Sequence, residues 1–88
     1  MVIKVLGPGC YSCDLLADRV RQAVINMGME ATIVKVRDPG EWLRYGLLFT
    51  PGLVINEKLV CGGRVPAPEE ISTWLADAAM AEQRPPAG

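Results

Sequence analysis

The first 36 residues constrain the fold most, because they pass from a strand pattern to a helix pattern and back. The apolar run Val2–Leu6 is short, rich in β-branched residues and ended by two glycines and a proline, as is typical of a buried strand. In residues 11–27 apolar side chains recur at spacings of three and four, as on one face of a helix, and Gly28 provides a stop. A second β-branched run occupies residues 30–36. This order predicts two parallel strands joined by a crossover helix.

The next segment predicts a short helix and a hairpin. Asp38, Pro39 and Glu41 are suited to be the N-cap, the first helical residue and the acid of a capping box. Only about two turns of helix fit before the next glycine. Residues 52–56 and 58–63 form two strand-like runs, separated by a connection short enough for a hairpin.

A last helix is predicted to begin at Pro68, with two acids in its first turn. Its apolar stripe consists of Ile71, Trp74, Leu75 and Ala78. The predicted order is therefore β-α-β-α-β-β-α, an α/β fold with a four-stranded mixed sheet and helices on both faces. With 88 residues, the chain is long enough for one domain. We expect the domain to span residues 1–80 and residues 81–88 to form a flexible tail.

Composition argues against several classes of partner. The net charge is −1 and the basic residues are scattered, so we expect neither nucleic acid nor a membrane surface as partner. No apolar stretch approaches the ~20 residues of a membrane span. The first apolar run is interrupted by Lys4, unlike a signal peptide, which favours a cytoplasmic protein. In that compartment a close cysteine pair is more often catalytic or metal-binding than structural.

Cys10 and Cys13 lie where the first predicted helix begins. Unpaired amides and the helix dipole create positive potential there, which lowers the pKa of a thiol. We expect a Cys10 thiolate to accept the amide of Cys13 and to be the attacking group. Cys13, deeper in the first turn, is then the resolving thiol. This placement favours a redox pair.

Other hypotheses for the same pair remain open. A structural zinc site needs four ligands, whereas the chain has three cysteines and no histidine. Two chains together could supply four thiolates, and soft ions such as Cu(I) or arsenite accept two or three. Cys61 is either a small hydrophobic residue of the last strand or a third ligand. A purely structural disulfide between Cys10 and Cys13 would stabilise the fold little, because the loop that it closes is so short. A further hypothesis is a domain that binds a partner without catalysing a reaction.

Three motifs together resemble a known family. "KVLGPGCYSC" places a CxxC pair at the first helix, and "YGLLFTPGLVIN" places a proline before the third strand. "GGRVPAPEEI" begins with a Gly-Gly near the end of the fourth strand. These motifs resemble the thioredoxin fold, and most closely the small thioredoxin- and glutaredoxin-like redox-active disulfide proteins of archaea and bacteria. The resemblance covers about residues 1–78.

The resemblance implies roles for particular residues. Cys10 and Cys13 match the redox pair, and Pro51 matches the cis-proline that packs beside it. The backbone of Thr50 would pair with an extended substrate. Tyr11 is expected to be exposed beside the pair, where it could contact the substrate.

Gly62 and Gly63 match the stretch where glutaredoxins accommodate glutathione. The implied activity is that of a thiol–disulfide oxidoreductase with no cofactor beyond the cysteine couple. The implied substrates are disulfide-bearing proteins or small thiols. A reductase or a low-molecular-weight thiol would supply the electrons. The main departures from the family are Tyr11 and Ser12 between the cysteines and the lack of an obvious buried acid.

Overall fold

The computed structural model describes residues 1–83, which form four strands and three helices. In chain order these are β1 (Val2–Leu6), α1 (Tyr11–Asn26), β2 (Thr32–Val36), α2 (Pro39–Arg44), β3 (Gly52–Ile55), β4 (Lys58–Gly62) and α3 (Pro68–Gln83). The order confirms the predicted β-α-β-α-β-β-α arrangement.

The four strands form one mixed sheet in the order β2-β1-β3-β4. β1 is parallel to β2 and antiparallel to β3, and β4 pairs antiparallel with β3. In this register Leu6 lies beside both Val36 and Gly52, and Gly52 lies beside Gly62. One edge of the sheet therefore carries the ends of β1, β2 and β4 and the start of β3.

Helices cover both faces of the sheet, as predicted. α1 and α3 pack on one face around a main core of fully buried aliphatic residues, which includes Ile3, Leu16, Val20, Leu53, Ile71 and Leu75. α2 and the segment after it cover the other face, where Leu6, Leu47 and Val54 form a smaller core with Trp42 and Tyr45 against it. The indole N–H of Trp42 donates to the Val36 carbonyl at 2.7 Å, which holds α2 against the sheet.

The hairpin between β3 and β4 uses two residues with positive φ, Asn56 at 50° and Glu57 at 69°. Two such residues give the backbone twist that matches a tight hairpin. Glu57 is an unfavourable residue for this conformation, but its carboxylate accepts from Lys4 Nζ at 2.9 Å and from the Tyr45 hydroxyl at 2.6 Å. These bonds attach the hairpin to β1 and to the end of α2.

The structure corrects several predicted boundaries and one contact. β2 begins at Thr32 rather than at residue 30, because its partner β1 begins at Val2 and the register pairs those two residues. β3 and β4 each end one residue earlier than predicted. Asp38 caps α2 by accepting from the Gly40 amide at 3.0 Å, as predicted. Glu41 does not close a capping box, because its carboxylate pairs with Arg44 instead.

α3 continues through residues 81–83, which the sequence had assigned to the tail. The remainder of the predicted tail lies outside the described residues, so the domain boundary stays a prediction. Among the residues described, no helix has the length and apolar character needed to cross a membrane.

Candidate active site

The sheet register brings the sequence-predicted site residues to one edge. The segment that leads to Cys10 leaves β1 after Leu6, and the Gly7 amide donates to the Val36 carbonyl at 3.0 Å. Thr50 and Pro51 directly precede β3 at the same edge, where Gly62 ends β4 and Gly63 follows it. The topology thus brings together residues that lie more than 50 positions apart in the sequence.

Cys10 is the N-cap residue of α1, with an extended backbone, and Cys13 lies in the first turn. The Cys10 side chain is exposed, whereas Cys13 is 4% exposed. Their sulfur atoms lie 3.0 Å apart, and both cysteines are free thiols. The arrangement is an accessible thiol in hydrogen-bond contact with a buried one.

The surroundings move the two thiol pKa values in opposite directions. The hydrogen bond from the Cys13 thiol lowers the pKa of Cys10, and the amides at the start of α1 lower it further. Burial raises the pKa of Cys13, and its hydrogen bond to Cys10 raises it further. These amides act on Cys10 from nearby, but the Cys10 side chain does not form the predicted capping hydrogen bond. At a given pH, Cys10 therefore carries more thiolate than Cys13.

Gly7 makes the room that the buried thiol occupies. A Cβ atom at this position would overlap Cys13 Sγ, and it would lie 3.9 Å from the Cβ atom of Thr50. Cys13 and Thr50 therefore lie close to each other beside Gly7. The absence of a side chain at Gly7 lets the dithiol pack against the segment that begins β3.

The Thr50-Pro51 peptide bond is cis, and Pro51 is buried. The Pro51 carbonyl accepts from the Gly63 amide at 2.9 Å. Gly63 itself has a φ of 81°, a conformation that favours glycine. This bond joins the turn before β3 to the turn after β4 at the same edge of the sheet.

Leu47 fixes the segment between α2 and β3. Its side chain is 5% exposed and fills the space beside two glycines of neighbouring strands. A Cβ atom at either Gly52 or Gly62 would lie 2.7 Å from Leu47 Cδ1, too close for a normal contact. The glycine at position 62 thus serves close packing within the chain.

Three exposed apolar or aromatic side chains belong to the segments that form the site. Tyr11, next to Cys10, is 81% exposed, as the sequence led us to expect. Leu48 is 82% exposed and Phe49 is 73% exposed, both in the segment before Thr50. Leu48 and Phe49 are neighbours in the chain, so the segment before Thr50 presents apolar surface to solvent.

Cys61 is not brought together with the pair. It is half-buried on β4, where it packs against the main core like a small hydrophobic residue. Within residues 1–83, no group of three or more Cys, His, Asp or Glu side chains is placed to hold a metal ion. The metal-binding alternative is therefore not supported.

Two residues near this edge were not singled out from the sequence. Leu47 belongs to an apolar segment with no local pattern that separates it from Leu48. Arg37, the residue after β2, has its guanidinium 3.4 Å from the position of a Cβ atom on Gly9. Both contacts join residues that are distant in sequence, so only the tertiary fold reveals them.

A sheet ordered β2-β1-β3-β4, with a dithiol at the start of α1 and a cis-proline before β3, defines a protein of the thioredoxin-like fold class. Comparison with known proteins agrees with this class. A thioredoxin-domain family model matches residues 1–76. A thioredoxin of Methanothermobacter thermautotrophicus is 36% identical over 76 residues, which is 86% of this chain and 99% of the relative. A thioredoxin of Methanocaldococcus jannaschii is 37% identical over 75 residues, 85% of this chain and 86% of the relative.

The chain belongs to the thioredoxin family. Membership supports a thiol–disulfide oxidoreductase role at the level of the family. Thioredoxins in general act on disulfide substrates and receive electrons from a reductase.

Proposed function

We propose that this protein reduces disulfides through a mixed disulfide on Cys10, which Cys13 then resolves. The observation that carries this proposal is the contact between an exposed thiol and a buried one, 3.0 Å apart at the start of α1. The same contact favours the thiolate on the accessible sulfur, which is the one that a substrate can reach.

The reaction consists of two thiol–disulfide exchanges. The Cys10 thiolate attacks one sulfur of the substrate disulfide; the Cys10–substrate bond forms, the substrate S–S bond breaks, and one substrate thiolate leaves. That thiolate takes up the proton that Cys13 loses. The Cys13 thiolate then attacks Cys10 Sγ, forms the Cys10–Cys13 disulfide and releases the second substrate thiolate. The protein dithiol supplies the two electrons, and an external reductase or low-molecular-weight thiol restores them.

The segments around the pair are suited to hold the substrate. We infer that the Thr50 backbone, beside the cis-proline Pro51, pairs with an extended stretch of a disulfide-bearing substrate. Tyr11, which is exposed next to Cys10, offers an aromatic contact. The glutaredoxin-like contribution of Gly62 and Gly63 to substrate binding stays a prediction, since their contacts in the structure are with Leu47 and Phe49.

The proposal needs no bound cofactor, because the cysteine couple itself exchanges the electrons. Its natural setting is the cytoplasm, where thiols are kept reduced and cell redox homeostasis depends on such exchanges. The partners are then disulfide-bearing proteins or small thiols.

The test is to trap the intermediate. A Cys13→Ser variant lacks the resolving thiol and should accumulate a mixed disulfide at Cys10 when mixed with a disulfide-bearing protein such as insulin. Intact-mass and peptide analysis locates the bond. A Cys10→Ser variant is the matched control and should trap at least about tenfold less, because the remaining thiol is buried and holds its proton.

Two results would contradict the proposal. One is trapping at Cys61 rather than at Cys10 in the Cys13→Ser variant. The other is equal trapping by the Cys10→Ser and Cys13→Ser variants, which would mean that the two thiols are not differentiated.

A further inference from the structure

Arg37 is an exposed cation beside the redox pair. It follows β2, and its guanidinium atoms Cζ and Nη2 lie 3.4 Å, and Nε 3.5 Å, from where a Cβ atom on Gly9 would be. The guanidinium thus lies over the backbone that leads into Cys10. Because consecutive Cα atoms are about 3.8 Å apart, it lies within about 9 Å of the Cys10 Cα atom.

The charge of Arg37 is not compensated within the described part of the chain. Arg37 forms none of the ion pairs there, although several carboxylates are present at this edge. Asp14 pairs with Lys35 at 3.2 Å, and Glu41 pairs with Arg44 at 3.0 Å. Asp38, the sequence neighbour of Arg37, accepts from the Gly40 amide. Within the described residues, an exposed guanidinium without an ion pair therefore lies against the backbone that leads into Cys10.

Arg37 is placed to act on an incoming molecule. The groups that lower the pKa of Cys10 are the Cys13 thiol and the amides of the helix start, and Arg37 is not among them. Its planar fork of N–H donors suits carboxylate and phosphate groups. At surface distances of several ångströms, one such charge changes the rate of approach of an anion a few-fold.

We propose that Arg37 binds an anionic group of the substrate, so that the protein prefers disulfides that carry a carboxylate or phosphate close to the reacting sulfur. This inference rests on the proposed disulfide reduction. The anionic group belongs either to a small disulfide or to an acidic residue beside a cysteine in a protein. In both cases Arg37 recognises the same kind of group, an anion close to the reacting sulfur.

The first test uses two small disulfides that differ in charge. The reduced protein reacts with 3,3′-dithiodipropionate, which has two carboxylates, or with neutral bis(2-hydroxyethyl) disulfide, and remaining thiols are alkylated and counted by mass. Arg37→Gln should lower the rate constant about three- to tenfold for the dianion and leave the neutral disulfide within about twofold. The difference should nearly disappear in 1 M NaCl, where charges are screened beyond about 3 Å.

The second test does not depend on disulfide reduction. Iodoacetate and iodoacetamide both alkylate the Cys10 thiolate with loss of iodide, but only iodoacetate is an anion. Arg37→Gln should slow the alkylation of Cys10 by iodoacetate about threefold or more, without changing the rate with iodoacetamide. Arg44→Gln is the matched control, since it removes the same charge from an arginine that is paired with Glu41. It should change neither rate.

The outcomes separate this inference from the proposed function. If Arg37→Gln affects the charged and neutral probes equally, or if Arg44→Gln has the same effect, the role of Arg37 is refuted while disulfide reduction stands. If the wild type reacts with neither disulfide, the proposed function and the substrate preference both fail. A pair of disulfide peptides with Glu or Gln beside the cysteine identifies the source: a dependence on Arg37 for the Glu peptide alone indicates acidic protein substrates, and a dependence only for the small dianion indicates small disulfides.

Discussion

Cys10 is the N-cap residue of α1, and Cys13 lies in the first turn of the same helix. This difference in position gives the two thiols different exposure and shifts their pKa values in opposite directions. From position at the helix start, the sequence predicted Cys10 as the attacking thiol and Cys13, deeper in the first turn, as the resolving thiol. In the structure Cys10 is exposed and Cys13 is buried. The sequence did not reveal that the Cys13 thiol lowers the pKa of Cys10 more than the amides of the helix start do. Which donor reaches a sulfur depends on side-chain rotamers and on the room that Gly7 leaves, and neither is visible in a local pattern.

Replacement of Cys13 should therefore raise the pKa of Cys10. Cys13→Ala removes the donor, whereas Cys13→Ser keeps a hydroxyl that can donate, so the shift to higher pKa should be larger in the alanine variant. The measurement is the rate of Cys10 alkylation by iodoacetamide against pH. This rate rises as the thiolate forms, so its midpoint should move to higher pH. Cys61→Ala is the control and should leave the midpoint unchanged; equal midpoints in wild type and Cys13→Ala would contradict the account.

Gly7 should tolerate no side chain. Gly7→Ala places a Cβ atom on Cys13 Sγ, and overpacking of this kind costs about 1–3 kcal/mol of unfolding free energy. Denaturant unfolding of the reduced protein measures the loss. Gly40→Ala is the comparison, because a Cβ atom there would lie 3.4 Å from the nearest oxygen of the exposed Asp38 carboxylate. A Gly7→Ala variant as stable as wild type would show that the two sulfurs can shift freely.

At the scale of elements, two connections hold the active edge together. The segment between α2 and β3 is fixed by Leu47 against Gly52 and Gly62. The segment between β4 and α3 is held by the Glu70 carboxylate, which accepts from Arg64 and from the Ala67 amide. The sequence predicted the start of α3 from Pro68 and the acids that follow it. It did not predict the place of Leu47, because a leucine that packs beside glycines of two other strands has the same local signature as its exposed neighbour Leu48.

Removal of the Leu47 side chain should loosen the connection before β3. Leu47→Ala empties a buried position, and such changes cost about 2–5 kcal/mol. The Gly63 amide, which donates to the Pro51 carbonyl, should then exchange with solvent faster, by a larger factor than the amides of α1. Leu43→Ala, at a position that is 71% exposed, is the control. It should change neither the free energy of unfolding nor the exchange rate of the Gly63 amide. Uniform acceleration of all amides would argue against a local role.

Glu70, in the first turn of α3, should make the stability of the protein depend on pH. Its carboxylate accepts from Arg64 at 2.8 and 2.9 Å and from the Ala67 amide at 2.8 Å, which lowers its pKa from 4.5 to about 2. Because the folded-state value is the lower one, the stabilisation is fully present above about pH 4.5 and is lost as the pH falls towards 2.

The corresponding measurement is Tm between pH 2 and pH 7 for wild type and Glu70→Gln. The variant should melt at lower temperature near pH 7, and the gap should close between about pH 4.5 and pH 2. Glu69→Gln, on the same turn of α3, is the matched control and should show a smaller gap. A gap that stays constant across this range would mean that the ion pair with Arg64 contributes nothing.

For the molecule as a whole, the order of elements and the mixed sheet followed from patterns of a few residues each. Strand-like runs, the helical spacing after Cys13 and the two-residue connection at Asn56 and Glu57 all carry local signals. The side-chain contacts between distant segments do not. The contact of Arg37 with Gly9 and the ion pair of Glu57 with Lys4 are two examples. Their residues meet only because the sheet brings distant segments side by side, so a single sequence provides no pattern for them.

The most direct test of the central claim is the redox equilibrium of the pair. The protein is equilibrated with graded ratios of reduced to oxidised dithiothreitol, its thiols are alkylated, and each cysteine is assigned by peptide mass. We expect one two-electron transition in which Cys10 and Cys13 become protected from alkylation together, while Cys61 stays alkylated at every ratio. Oxidation that involves Cys61, disulfides between two chains, or no oxidation at any ratio would contradict it.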